Sequence, residues 1–178
     1  MKPLAYAALF ASALCAPALA QSPIVAVEAP IIGSKGERIG TARVRGNSNV
    51  TVVRLTINPG GLTPGWHGLH FHAVGDCSDP GSFELAKGHV TSTGKQHGLL
   101  NPKGPHEGDL PNIYAGADGS VHAEVSAAVP LTGSAGPEGL MDADGSALII
   151  HAGEDDQVSQ PIGNAGARVA CAVIQWSK

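Results

Sequence analysis

Gly68-Leu69-His70-Phe71-His72-Ala73-Val74-Gly75-Asp76-Cys77 is the stretch on which the reading of this chain turns. Leu69 and Phe71 are apolar residues of a β-favouring run, and histidines alternate with them. In a strand, alternate side chains leave on the same face, so His70 and His72 present two imidazoles side by side. Imidazole is the usual protein ligand for zinc and copper. The pair gains weight from further candidate donors downstream: His89, His97, His106 and Asp109, then His151 at the end of Ala147-Leu-Ile-Ile-His151. One carboxylate among three well-spaced histidines fits a closed tetrahedral zinc site. The remaining donors, all nitrogens, fit a tetragonal copper site.

Working outward, short β-favouring runs alternate with turn chemistry along the whole chain. Val25 to Ile32 predicts a first strand, ended by Gly33-Ser-Lys-Gly36, and Ile39 to Arg45 a second, ended by Gly46-Asn-Ser-Asn49. Val50 to Ile57 predicts a third, and Gly65 to Ala73 a fourth that carries the first histidine pair. From Val74 to Asn112 nothing is periodic, and four candidate ligands fall in that loop. A loop of such length inside a compact domain signals a function. Strands resume at Val121 to Val129 and Ala147 to Ala152; a second long loop spans Gly153 to Ala167, and Val169 to Trp176 closes the sheet. Composition agrees, with 24 Gly, 13 Pro, 15% charged and 4% aromatic residues in 178. Seven or eight antiparallel strands with long crossover loops predict an all-β Greek-key barrel or sandwich.

The first twenty residues read as a secretory signal peptide, with Lys2, an apolar run from Leu4 to Leu14 and a small-residue cleavage site at Ala18-Leu-Ala20. That run is too short to span a bilayer. Residues 21–178 are then a single domain, exported to the periplasm, and of three cysteines only Cys77 and Cys171 stay in it. In an oxidising compartment two such cysteines are expected as a disulfide. The loss of Lys2 leaves ten basic against fifteen acidic residues. An acidic chain without a basic run excludes a nucleic-acid partner.

Four motifs in order carry a family resemblance: Gly68 to Asp76, His97-Gly-Leu-Leu-Asn-Pro-Lys-Gly-Pro-His106-Glu-Gly-Asp109, Ala147 to Gly153, and Gly163-Asn-Ala-Gly-Ala-Arg168-Val-Ala-Cys171. At these residues the chain resembles the copper–zinc superoxide dismutases, specifically their bacterial periplasmic branch. The resemblance implies an eight-stranded Greek-key barrel with two long functional loops. It implies copper on His70, His72, His89 and His151, zinc on His89, His97, His106 and Asp109, and a bridging, catalytic His89. Asp155 matches the aspartate that hydrogen-bonds one histidine of each metal, Arg168 the arginine that receives the substrate anion, and Cys77–Cys171 the family disulfide. The implied reaction converts two superoxide anions to dioxygen and hydrogen peroxide as copper alternates between Cu(II) and Cu(I). The rivals are a non-catalytic copper/zinc-binding or copper-delivery protein of the same fold, and a copper-only relative. His67 is expected to play a structural, hydrogen-bonding part and His122 to be an ordinary strand residue. Val90-Thr-Ser-Thr93 departs from the aromatic and proline that family members carry after the bridging histidine, and Val158 to Ile162 lacks their steering charges. Lys95 is then the expected steering residue. A homodimer is possible.

Overall fold

Alternation builds most of the sheet. Strands β1 (Val25–Gly33), β2 (Arg38–Gly46) and β3 (Thr51–Ile57) form consecutive antiparallel hairpins. Their inward positions, among them Ile31, Ala42, Val44, Val53, Leu55 and Ile57, are buried, while the arginines between them face solvent. The computed structural model describes residues 24–91, 94–132 and 139–176. The predicted signal peptide lies outside the described residues, as do Ser92 and Thr93.

The chain continues through β4 (Gly65–His67), β5 (Leu69–His72), a 3₁₀ turn (Glu84–Ala86), β6 (Ile113–Ala115), β7 (Val121–Ala127), β8 (Ser146–His151) and β9 (Arg168–Ile174). Seven strands form one antiparallel sheet in the order β5-β8-β9-β1-β2-β3-β7, and β4 pairs with β6. β4 runs into β5 through Gly68, and β6 lies beside β7, so this ribbon bridges the two edges and the sheet closes on itself. With β4 and β5 taken as one bent strand, the barrel has the expected eight. β3 pairs with β7 rather than its successor, and β8 pairs with β5 and β9, which is Greek-key connectivity.

Leu69 and Phe71 of β5, Leu148 and Ile150 of β8, and Ala170, Ala172 and Ile174 of β9 complete the barrel interior. Each large aliphatic or aromatic side chain so buried contributes roughly 1.5–3 kcal/mol. A second, smaller cluster of Phe83, Ala86, Ala147, Ile149 and Cys171 covers the outside of β8 and β9. Strand β8 is therefore buried on both faces, which is why Ala-Leu-Ile-Ile is continuously apolar.

Two features differ from the sequence expectation. Gly65 to Ala73 is broken at Gly68, whose N–H donates to Gly153 O (2.8 Å) and whose carbonyl accepts from His151 N (2.9 Å). A Cβ at Gly68 would lie 2.9 Å from Ala165 Cβ, so only glycine lets the second loop pass this close. Strand β6 is the other, unannounced because three residues are too few for a period to show.

Candidate metal centre

Strand β5 lies at the edge of the seven-stranded sheet, and the first long loop is laid along it. Phe71 N donates to Gly108 O (2.8 Å), Val90 N to Phe71 O (2.9 Å) and Ala73 N to Gly88 O (2.9 Å). Edge pairing satisfies backbone groups that would otherwise be unpaired, and it sets a register: His70 stands opposite Asp109, and His72 opposite His89. Pairing of β5 with β8 brings His151 to the same place. The expected donors of the first strand, the loop and β8 thus meet because the loop is held as an irregular further neighbour of the sheet.

One nitrogen of each of four rings defines a first focus. His70 Nδ1, His72 Nε2, His89 Nε2 and His151 Nε2 are buried and have no hydrogen-bond partner. Donor atoms of these four residues lie within 4.8 Å of one another. Four orphaned imidazole nitrogens facing one point are costly unless a cation sits among them. The opposite nitrogens of the three terminal rings are all engaged. His70 Nε2 donates to Asp155 Oδ2 (2.7 Å), His72 Nδ1 to Lys87 O (2.7 Å) and His151 Nδ1 to Gly166 O (2.9 Å). This network assigns the proton to the outer nitrogen and leaves a lone pair on the inner one, as metal ligation needs. Burial lowers the pKa of all three, to about 4 for His70, about 2 for His72 and about 3 for His151, so the inner nitrogens stay unprotonated.

A second focus lies on the other side of the His89 ring. His89 Nδ1 is 3.1 Å and His97 Nδ1 2.9 Å from Asp109 Oδ1. His106 Nδ1 is 3.3 Å from His89 Nδ1 and 3.9 Å from the same oxygen. The tightest grouping of donor atoms here is His70, His89, His97 and Asp109, with His106 outside it. His70 has one nitrogen on Asp155 and the other at the first focus, whereas His106 Nε2 is held by Lys95 O (3.0 Å) and its Nδ1 lies toward His89 and Asp109. Burial raises the cost of charge on Asp109, but hydrogen bonds from His89 and His97 outweigh it and hold the carboxyl far below its ordinary range. Three imidazole nitrogens and a carboxylate form the donor set of structural zinc.

Asp155 joins the two foci, taking His70 on Oδ2 and His97 Nε2 on Oδ1 (3.1 Å). Burial opposes charge on His97, yet its bonds to Asp109 and Asp155 raise its pKa to about 9 in the metal-free chain. Two amide side chains that sequence reasoning missed fix this bridge. Asn112 clamps the Asp155 backbone with both amide atoms (2.7 and 3.0 Å), and Gln160 does the same to His97 (2.8 and 3.0 Å). Loop amides carry no periodicity and no motif, so nothing in the sequence marked them. Gly163, at φ +59°, passes directly over the Asp155–His97 contact, where any Cβ would overlap the Asp155 carboxylate.

Arg168 opens β9 beside the first focus. Its guanidinium donates to Phe83 O (2.6 Å) and Lys87 O (2.7 Å) and lines an open cavity of about 560 Å³ together with His151, Glu84 and Lys87. The disulfide Cys77–Cys171 is formed, closing a separation of 94 residues and tying the Phe83 segment to β9. His67 bonds His151 O (2.7 Å) and Thr63 O (2.8 Å) and faces neither focus; His122 is exposed on β7. Lys95 Nζ lies 3.6 Å from Glu107, so the charge expected to steer substrate is paired.

The sequence profile of the family described as copper/zinc superoxide dismutase (SODC) matches residues 38–174. A copper–zinc superoxide dismutase of Caulobacter vibrioides is 54% identical over 69% of this chain and 71% of its own length. One of Aquifex aeolicus is 42% identical over 83% and 85%. Among solved structures, a dismutase-like protein from Bacillus subtilis matches with a TM-score of 0.76 at 34% identity, covering 83% of this chain and 97% of that one. The copper/zinc dismutase of Brucella abortus matches at 0.64 and 28%, over 84% and 99%. Barrel, paired foci and matched profile agree, and the chain belongs to the copper/zinc superoxide dismutase family.

Proposed function

We propose that the protein is a superoxide dismutase holding copper on His70, His72, His89 and His151 and zinc on His89, His97, His106 and Asp109. The observation that carries this is the His89 ring, which turns Nδ1 to the carboxylate focus and an unpartnered Nε2 to the all-imidazole focus. When bound, copper supplies the one-electron chemistry that takes one superoxide to dioxygen and the next to peroxide, beside a zinc of fixed valence. The chain's own residues do the rest. His89 offers Nε2 as a site that takes up a proton and hands it to the peroxide product. Asp109 and His106 lie against its other nitrogen, and His97 holds the same Asp109 oxygen, so the ring is kept in place while the proton is on it. Arg168, fixed by two carbonyls, points its charge into the cavity and docks a small anion by charge-assisted hydrogen bonds.

A copper store or delivery protein would need the imidazole focus but not a fixed arginine facing open space beside it, so Arg168 favours turnover. Metal analysis with a superoxide-consumption assay tests the reading. One copper and one zinc per chain and rapid consumption are expected, with zinc lost in a His106→Ala, Asp109→Ala double variant. Full zinc occupancy in that variant would overturn the ligand assignment.

We also propose export to the periplasm, supported by the leader-like first twenty residues and by the disulfide, which persists in oxidising compartments. N-terminal sequencing of protein from the cell envelope should begin at Gln21. Among the described residues no helix is long and apolar enough to cross a membrane. The homodimer stays a proposal of the sequence alone, and sedimentation of the loaded protein tests it.

A further inference from the structure

Lys87 ends the 3₁₀ turn with φ 66° and ψ −149°, a backbone region that is essentially glycine-only. Its backbone is fully employed: the N–H donates to Glu84 O (3.0 Å), and the carbonyl accepts from both His72 Nδ1 and Arg168 Nη2 (2.7 Å each). Glycine would serve every one of those bonds without strain. What a lysine adds at this position is its side chain alone; the residue is exposed and is part of the lining of the cavity into which Arg168 and His151 face. No carboxylate among the described residues lies within ion-pairing distance of it, in contrast to Lys95, which is 3.6 Å from Glu107. The acids that share its surroundings are Glu84 on the cavity wall and, through space, Asp76; Asp79, which acts on Arg168, is occupied in bonds to Ser82, Glu84 and Leu85.

We infer that Lys87 is the anion-recruiting residue of this site, its ammonium at the cavity mouth drawing superoxide toward Arg168. The inference rests on the dismutase reading and goes beyond it by moving the steering charge from the zinc loop to the arginine's own support. A chain of net charge −4 repels its substrate at long range, so a local cation beside the docking arginine has a large lever on encounter.

The test uses copper- and zinc-loaded protein and four variants, Lys87→Gly, Lys87→Met, Lys87→Glu and, as a charge control at a residue that does not line the cavity, Lys35→Gln. Three quantities are read: kcat/KM for superoxide against ionic strength, thermal midpoint, and azide affinity from the visible spectrum. Lys87→Gly should raise the midpoint by about 2–5 °C by removing strain. It should lower kcat/KM at low ionic strength about two- to fivefold, flatten the salt slope and weaken azide binding similarly. Lys87→Met should lose the same rate with no gain in stability, Lys87→Glu should lose more, and Lys35→Gln should match the parent. Parent kcat/KM, salt slope and azide affinity in Lys87→Gly would overturn the inference. So would a lowered midpoint, which would mean that the lysine is kept for packing. If the parent itself consumed no superoxide, the dismutase reading would fall instead, and the azide series would still decide whether Lys87 recruits anions.

Discussion

At the scale of single residues, the site separates groups that hold metal from groups that hold those groups. Arg168 is in neither class: its two carbonyl partners fix it, and it lines the open cavity beside the all-imidazole focus. At ~5 Å in an effective dielectric near 20, one unit charge is worth roughly 3 kcal/mol before screening. Arg168→Ala should therefore cut kcat/KM about ten- to a hundredfold with both metals still bound, and Arg168→Glu should cut it further. Steered, near-diffusional encounter is an established property of superoxide dismutases. Full activity in a metal-replete Arg168→Ala protein would reduce the residue to a surface cation. Asp155 makes the complementary case. Its removal leaves the outer nitrogens of His70 and His97 buried and unpaired, at about 1–3 kcal/mol for each group. Lost support of this kind weakens metal affinity by about 10–100-fold. Chelator competition on Asp155→Ala should show that loss at both metals, because one carboxylate serves one ring of each set. A loss confined to one metal would mean that the bridge is not shared.

At the scale of elements, the loop after β5 and the loop before β9 do what strands cannot, delivering donors to one point from three directions. The disulfide anchors this arrangement, since Cys77 lies ahead of the turn whose carbonyls hold Arg168, and Cys171 lies three residues after Arg168. Closing a loop of about 95 residues stabilises by a nominal ~4–5 kcal/mol on chain-entropy grounds. A Cys77→Ser, Cys171→Ser variant should melt about 8–15 °C lower and lose activity beyond its metal loss, as Arg168 loosens. A midpoint within a degree or two of the parent would show that the smaller apolar cluster alone holds the turn. Much of this was readable from residues in fixed spacing. His-x-His on an alternating strand announced both a sheet and two rings of the imidazole cluster, and Ala-Leu-Ile-Ile-His announced a strand ending in a third. The break at Gly68 was not readable, because its cause is a loop some ninety residues further on. Nor were Asn112 and Gln160, whose partners are backbone atoms of a different loop, nor Lys87, whose meaning lies in a backbone angle.

At the scale of the whole molecule, six titratable groups share one buried volume, and their opposed shifts give the metal-free protein a defined pH response. His70, His72 and His151 are held below the ordinary 6.5 by burial, to about 4, 2 and 3. The unfolded chain takes up protons at these three positions as pH falls below 6.5, while the fold refuses them until lower pH. Stability from them is therefore complete above 6.5 and is lost as pH falls toward 4 and below. Asp109 and Asp155 are also buried, but hydrogen bonds from the histidines depress them. Their contribution is present above the ordinary 3.8 and is lost on further acidification, so it sharpens the acid limb. His97 works in the opposite sense. Burial disfavours its charge, but Asp109 and Asp155 raise it to about 9, so its contribution is full below 6.5 and fades as pH rises through 9. The metal-free protein should have its highest thermal midpoint near neutrality, with a steep fall between pH 6.5 and 4 and a shallower one toward pH 9. Metals bound as proposed would take the place of protons on the inner nitrogens and on Asp109, so the loaded protein should hold its midpoint to lower pH and lose the alkaline limb. Calorimetry of both forms across pH 4–9 makes the comparison. A metal-free midpoint that stayed level or rose from pH 6.5 to 4 would contradict the burial of His70, His72 and His151 as neutral donors, and the proposed assignment of the all-imidazole focus would fall with it.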